Sequence, residues 1–169
     1  MVPDNYDKEL FERYSDMTYR IAMSYVKNTY IAEEAVQEVF LRYLRKKPDF
    51  VSSEHEKAWF IRVTVNCCKS MLNTAWMKHV QPLEEAGQTV EFFQQREEQE
   101  LFEVLSELPA KYRIVLYLRY YEEYQVKEIA KLLGITPNLV SARLKRAKKL
   151  LKQKLLIDME GFRHEVGNI

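Results

Sequence analysis

The side chains best suited to chemistry in this sequence are cations, and they are concentrated near its end. Six Lys and Arg residues lie between Arg143 and Lys152, within the run ITPNLVSARLKRAKKLLK. Residues 109–157 hold 12 basic and three acidic residues, whereas residues 81–108 hold one basic and eight acidic residues. Because Lys and Arg neutralise phosphates, this asymmetry predicts a polyanion partner for the C-terminal part alone.

Helical periodicity divides the basic run into two faces. At 100° per residue, one side is apolar and is predicted to be buried, and it comprises Val140, Leu144, Ala147 and Leu151. The opposite side and its flanks carry the candidate DNA-binding residues, which are Asn138, Ser141, Arg143, Lys145, Arg146 and Lys149. Short polar side chains near the helix start suit base edges in a major groove, and the later cations suit phosphates.

The residues before this run predict a helix-turn-helix. VKEIAKLL has the pattern of a short amphipathic helix, and Gly134 after it can take the left-handed backbone that ends a helix. Thr136 is placed to cap the next helix, and Pro137 fits its first turn. The small Ala130, Gly134 four residues later and the apolar Val140 follow the spacing of this motif. We therefore expect DNA binding rather than a merely solvated basic helix.

Apolar residues spaced three and four apart predict three helices in the first half of the chain. The expected helices span residues 7–27, 31–47 and 56–74, with a polar loop at 48–57. The predicted buried stripes include Phe11 in the first helix and run from Phe60 to Leu72 in the third.

The middle of the chain is predicted to be a linker. Residues 77–92 contain Pro82 and Gly87 and lose helical periodicity. Helicity resumes at residue 93, and a later helix over 111–121 is expected to point Tyr121 inward. With only four Gly in 169 residues, the expected fold class is all-α. It consists of two small helical domains, 1–76 and 93–169, joined by the short acidic linker 77–92, with the helix-turn-helix in the second domain.

Two of the N-terminal helices carry faces that could hold partners. In the helix over 31–47, an exposed leucine beside Gln and carboxylates suits protein docking; this face comprises Glu34, Gln37, Glu38 and Leu41. In the helix over 56–74, one polar stripe follows an aromatic residue; this face comprises Trp59, Arg62, Asn66 and Lys69. Donors beside an aromatic ring can hold an unstacked base and its phosphates. On spacing alone, solvated surfaces and a core tryptophan explain these patterns equally well.

We expect no enzyme activity, no catalytic residue, no metal and no cofactor. A nucleophile needs a base within reach, but His55, His79 and His164 show no motif spacing. Cys67 and Cys68 are adjacent and fall on the apolar side of their helix, where small buried side chains are expected. A vicinal disulfide would be strained, and metal ligands are normally spaced apart.

A cytoplasmic location without membrane insertion is expected. No apolar run approaches the ~18 residues that a membrane helix needs. The start, MVPDNYDKEL, lacks the basic-then-apolar layout of a signal peptide.

Three motifs follow one another along the chain: AEEAVQEVFLRYLR, the W-x6-N of Trp59 to Asn66, and ELPAKYRIVLYLRYYEEYQVKEIAKLLGITPNLVSARLKRAKKLLKQKL. Together they resemble one known family, the extracytoplasmic-function (ECF) sigma factors of bacterial RNA polymerase. The resemblance spans about residues 7–157 in the family's order and spacing. Leu139 and Ser141 depart from it, since many members have Thr and a cation at these positions.

The resemblance implies a role for each face and no catalytic chemistry. Glu34, Gln37, Glu38 and Leu41 would dock on the clamp helices of the polymerase's largest subunit. Trp59, Arg62, Asn66 and Lys69 would bind the −10 promoter element, after a loop at 49–57 that pockets a flipped base. The basic helix would read the −35 element. Core RNA polymerase, including its flap, promoter DNA and an inhibitory anti-sigma factor are the implied partners.

One other class of DNA-binding protein would explain the basic helix taken by itself. An ordinary helix-turn-helix regulator would act as a dimer on operator DNA without polymerase. It predicts a symmetric footprint, and it gives no role to the face on residues 31–46.

Overall fold

The computed structural model describes residues 2–74 and 103–167, with side chains up to residue 156. The chain divides into two units, Met1–Thr89 and Val90–Ile169, which are described separately below. The predicted linker 77–92 and the predicted start of a helix at residue 93 lie outside the described residues. Every regular element in the described ranges is helical, as the sequence predicts.

Three helices form the described part of the N-terminal unit. They are α1 (Asn5–Val26), α2 (Thr29–Lys46) and α3 (Ser53–Asn73). Each begins at a side-chain cap: Asp4 for α1, Asn28 for α2 and Ser52 for α3 accept backbone N–H groups of the first turn. Because Ser52 caps α3, residues 53–57 are helical. The prediction of a loop over 48–57 is therefore wrong for residues 53–57.

Aromatic rings fill the space between the three N-terminal helices. The Phe60 ring is fully buried, and its centroid lies 4.6 Å from that of Tyr14 and 5.3 Å from that of Phe40. Tyr43 of α2 lies 5.7 Å from the same ring. One aromatic from α3 thus contacts both other helices, and such pairs add to the energy of area burial alone.

Two predicted core residues of this unit lie at its surface. The Phe11 side chain is 49% exposed, although its ring centroid lies 4.8 Å from that of Phe40. Leu72, in the last turn of α3, is 36% exposed. The predicted buried stripe of α3 therefore ends before its last turn.

Two buried carboxylates join the helices of this unit. Glu56, in the first turn of α3, accepts hydrogen bonds from the α1 side chains Tyr6 (2.6 Å), Tyr14 (2.7 Å) and Arg13 (2.8 Å). Burial by itself raises the pKa of the Glu56 carboxyl, but the three donors outweigh that effect and the pKa lies below its ordinary value. Glu56 is therefore an ionised link between α1 and α3.

Asp7 of α1 forms the second link, to α2 and the residue after it. It accepts hydrogen bonds from the Tyr43 hydroxyl at 2.9 Å and from the Lys47 ammonium. The Lys47 bond is the largest of the effects that lower the pKa of Asp7. Since Asp7 also closes the capping box with Asp4, one buried carboxylate caps α1 and ties it to α2.

The C-terminal unit contains the predicted helix-turn-helix. Residues 103–106 are helical, and α4 (Ala110–Leu116) continues as a π-helical turn, Tyr117–Tyr121. Then follow α5 (Val126–Leu133) and the long α6 (Pro137–Gly167). The core is built from Leu108, Ile114, Val115, Leu118, Ile129, Val140, Leu144 and Ala147.

The turn between α5 and α6 has the predicted chemistry. Gly134 lies in the left-handed region at φ +67°, and the Ile135 N–H donates to the Ala130 carbonyl at 3.0 Å. The Leu139 N–H donates to the Thr136 hydroxyl at 3.2 Å, so Thr136 caps α6 as expected. Val140 is fully buried. Glycine is favoured at position 134 because the positive φ is strained for other residues. Space is not the reason, since an added Cβ would meet no atom within 4 Å.

The π-helical turn accounts for a wrong prediction. An α-helix continuing past the buried Leu118 would carry Tyr121 inward, but Tyr121 is 57% exposed. The Glu122 N–H donates to the Tyr117 carbonyl at 3.1 Å, a spacing of five residues instead of four. The extra residue rotates the side chains after Leu118 out of the α-helical phase.

Within the described residues, no helix combines the length and apolar character that a bilayer crossing requires.

The buried Glu56 carboxylate predicts an acid-sensitive N-terminal unit. Because its folded pKa is lowered from the ordinary 4.5, Glu56 contributes stability above that value, and the contribution is lost as pH falls through the folded pKa. Glu56→Gln should destabilise this unit at pH 7 by about 2 kcal/mol, since charge-assisted hydrogen bonds are lost. It should also flatten the stability decrease on acidification.

Tryptophan fluorescence during urea unfolding measures this effect, since Trp59 and Trp76 both lie within residues 1–89. Glu12→Gln, an exposed change on α1, is the matched control. An unchanged pH profile in Glu56→Gln would show that Glu56 does not link α1 to α3.

Candidate nucleic-acid interface

The polar stripe on α3 lies at the surface, opposite a buried apolar stripe. Arg62, Asn66 and Lys69 are all exposed. Ile61 and Val65, which directly precede Arg62 and Asn66 in the sequence, are at most 1% exposed. The spacings of four and three place the polar side chains on one face, as the sequence predicts. This face can offer cations to phosphates and an amide to a base edge.

Trp59 stands at the head of this stripe as part of an aromatic cluster. It is half-buried, and its ring centroid lies 5.0 Å from that of Phe60, 6.0 Å from Phe50 and 6.1 Å from Tyr43. The two sequence interpretations, a core residue and an exposed platform, therefore both apply in part. The cluster fixes the indole, and the remaining surface of the ring faces solvent.

The loop before α3 is held by His55, for which the sequence shows no motif spacing. The Val51 N–H donates to His55 Nδ1 at 3.2 Å, and the His55 ring packs edge-on against Phe50 at 5.5 Å. Val51 itself is 88% exposed. The sequence could have indicated this contact through the position of His55, three residues after the Ser52 cap, because a side chain there can turn back toward the loop.

The four predicted docking residues on α2 differ in their surroundings. Gln37 is exposed and Leu41 is 46% exposed, whereas Glu34 and Glu38 are half-buried. Glu38 accepts a hydrogen bond from Arg42 at 2.8 Å, and a hydrogen bond to Glu34 raises the pKa of the Tyr30 hydroxyl. Both carboxylates thus bond to side chains of their own helix. Gln37 and Leu41, one turn apart, form the outermost part of the face.

The basic face of α6 is exposed along most of its length. The exposed residues are Asn138, Ser141, Lys145, Arg146 and Lys149. Arg143 is half-buried at the edge of this face, where the helical wheel places it. Leu151, which the same wheel places in the core, is also half-buried. The structure thus brings five predicted DNA contacts to one surface, over a core of Val140, Leu144 and Ala147.

The cysteines are placed for packing rather than reaction. Cys67 and Cys68 are free and buried, and burial raises the pKa of the Cys68 thiol to about 12. At neutral pH this thiol is protonated, whereas a nucleophile requires the thiolate. Among the described side chains, no group of His, Cys, Asp and Glu is arranged to hold a metal ion.

Comparison with known proteins bears on both units. The family described as "Sigma-70 region 2" matches residues 10–77, and "Sigma-70, region 4" matches residues 98–151. The chain is 33% identical over 142 residues to the RNA polymerase sigma factor SigV of Bacillus subtilis (strain 168), covering 81% of this chain and 83% of SigV. It is 29% identical over 157 residues to the ECF RNA polymerase sigma factor SigM of the same strain, covering 85% and 91%.

The chain belongs to the ECF type of RNA polymerase sigma factors. As a sigma factor it acts with bacterial core RNA polymerase in promoter recognition and transcription initiation. The fold of this sigma factor is similar to that of RpoE from Bartonella quintana, with a TM-score of 0.68 and 18% identity over 89% of this chain and 97% of that one. The predicted family and fold class are therefore confirmed, whereas the roles of the individual site residues stay predictions.

The α3 stripe of this sigma factor gives a prediction for single-stranded DNA. Arg62→Gln together with Lys69→Gln should weaken binding of the holoenzyme to a single-stranded −10 oligonucleotide by roughly tenfold, because two cations near the phosphates are removed. Fluorescence anisotropy with labelled oligonucleotide measures the affinity.

Two exposed lysines outside this face, Lys8 and Lys111, provide the charge-matched control variant Lys8→Gln with Lys111→Gln. Equal decreases in affinity for both double variants would mean that net charge, and not the α3 stripe, determines the affinity.

Proposed function

We propose that this sigma factor divides promoter recognition among three helical faces. The α2 face binds the clamp helices of the polymerase's largest subunit, α3 holds the opened −10 strand, and α6 reads the −35 duplex while its unit docks on the flap. The observation that carries this proposal is the pairing of each exposed face with a buried apolar stripe on the same helix. Those three faces are thereby presented to partners rather than used in the protein's own core.

Strand opening is the step that needs the N-terminal unit. Extruding a base costs a few kcal/mol of stacking, which pocket contacts and backbone charge can offset. Here the half-buried Trp59, the exposed loop residue Val51 and the Arg62 cation lie on or just before one helix. We assign base capture to this end of α3. The proposed role is non-catalytic, and the polymerase supplies the chemistry of RNA synthesis.

An anti-sigma factor is proposed as a further partner. RpoE of Bartonella quintana, which is similar in fold, is described in complex with the anti-sigma factor NepR. For this chain, the exposed Leu41 and the basic α6 surface are faces that an inhibitor could cover to exclude polymerase and DNA. The dimeric regulator is not favoured, because the match to sigma region 2 covers α2 and α3.

The docking proposal predicts the effect of a charge on α2. Leu41→Arg should weaken binding to core polymerase by roughly tenfold or more, because it places a cation at the exposed apolar centre of the face. Val2→Arg, an equivalent change at a residue that is 92% exposed, should leave the affinity unchanged. Titration of labelled protein with core polymerase measures both, and thermal unfolding confirms that both fold. Unaltered affinity in Leu41→Arg would remove this face from the interface.

The α6 proposal predicts a change in salt dependence. Lys145→Ala with Arg146→Ala should lower the slope of log affinity against log salt concentration by about 0.9 for each phosphate that the protein no longer neutralises. Lys8→Ala with Lys111→Ala is the charge-matched control. Holoenzyme binding to a promoter selected from random DNA, measured over a range of KCl concentrations, provides the slope. If Lys145→Ala with Arg146→Ala keeps the wild-type slope, as the control variant should, these α6 side chains do not contact phosphates.

A further inference from the structure

Tyr120 in the π-helical turn is an exposed aromatic residue that the three faces above leave without a role. Its side chain is 55% exposed. The Lys148 ammonium of α6 lies 5.2 Å from the ring centroid, and the Arg119 guanidinium carbon lies 5.9 Å from it. Both distances are within the range of a cation–π interaction. An exposed ring thus holds two cations at the junction of the π-helical turn and α6.

The position of Lys148 on α6 relates this cluster to the DNA-binding face. Lys148 follows Ser141 by seven residues, so the two side chains point in nearly the same direction, about 10 Å apart along the axis. A major groove is about 8.5 Å deep, so a helix that enters it with its first turns meets the sugar-phosphate backbone two turns later. Lys148 therefore lies where a phosphate, and not a base edge, is expected.

We propose that Tyr120 and Lys148 form a backbone-phosphate clamp beside the −35-reading helix. The ammonium pairs with a phosphate of the duplex, the ring of Tyr120 keeps the ammonium at that position, and the tyrosine hydroxyl donates a hydrogen bond to the same strand. Arg119, which also donates to the Tyr124 carbonyl at 3.4 Å, supports the ring from within the π-helical turn. The inference rests on the proposed binding of duplex DNA by α6.

The proposed clamp lies in the π-helical turn. The Glu122 N–H donates to the Tyr117 carbonyl, a spacing of five residues, and both Tyr120 and Tyr121 of this turn are exposed. π-helical turns are rare and are found frequently at functional sites. A surface contact for a partner outside the domain gives this one a function.

Four variants separate the parts of the clamp in full-length protein bound to core polymerase: Lys148→Gln, Tyr120→Phe, Tyr120→Ala and the double variant of Tyr120→Ala with Lys148→Gln. Lys148→Gln should lower the salt slope of duplex binding by about 0.9, because one phosphate is no longer neutralised. Tyr120→Phe keeps the ring and should reduce affinity by roughly threefold without changing the slope, because a neutral hydrogen bond is removed. In a Tyr120→Ala background, Lys148→Gln should cost less affinity than it does in the wild type, because the ammonium is no longer positioned.

The decreases in affinity should be equal on promoter and random duplex, because phosphates carry no sequence information. Lys111 of α4 provides the control, since its ammonium lies at a similar distance, 5.1 Å, from the centroid of the Tyr112 ring. Lys111→Gln should leave the slope unchanged. A purely structural interaction between Tyr120 and Lys148 would change stability but not the slope.

Two results would overturn the inference, and they are distinguishable. If Lys148→Gln keeps the wild-type slope while Lys145→Ala with Arg146→Ala lowers it, α6 binds DNA but the clamp does not exist. If neither variant lowers the slope, the proposed DNA-binding face of α6 is itself wrong and the clamp is rejected with it.

Discussion

The buried Glu56 carboxylate is the group on which the N-terminal unit most depends. An ionised carboxylate out of water costs several kcal/mol unless it is paired and hydrogen-bonded. Here three donors from α1 meet it, and each lies within 2.8 Å. Glu56 is three residues before Trp59 and six before Arg62, so the hydrogen bonds that fix the start of α3 also fix the head of the proposed −10 surface. A binding surface on one helix is thus positioned by side chains of another.

Much of this protein could be predicted from local sequence patterns. Three-and-four spacing identifies α1 to α3, and Gly134 with Thr136 identifies the turn before α6. Local patterns succeed at these positions because the cause and the effect lie within a few residues of each other. The exposed stripes of α3 and α6 follow from the same periodicity, since a helix with one apolar side must present the other side to solvent.

The parts that escaped prediction depend on longer distances or on subtle backbone changes. The partners of Glu56 are 42 to 50 residues away in sequence, so no periodicity indicates them. The π-helical turn adds one residue per turn without any Gly or Pro to mark it, and the error for Tyr121 follows directly. Glu34 and Glu38, which the sequence places on the predicted docking face, also accept hydrogen bonds within α2 that the sequence pattern does not indicate. Pattern alone cannot distinguish a polar residue that awaits a partner from one that already has it.

In the proposed division of roles, the two units solve different physical problems, and their construction differs accordingly. Capturing an extruded base requires a surface that does not reorganise, because the energy of unstacking leaves little for ordering side chains. The N-terminal unit places its half-buried indole against three aromatic rings and anchors the helix start with an ion pair at a buried carboxylate. Duplex binding instead depends on charge, which acts over longer distances and tolerates flexible side chains. The exposed lysines of α6 suit that requirement, and in the proposed clamp the ring of Tyr120 limits the freedom of one cation without removing it from water.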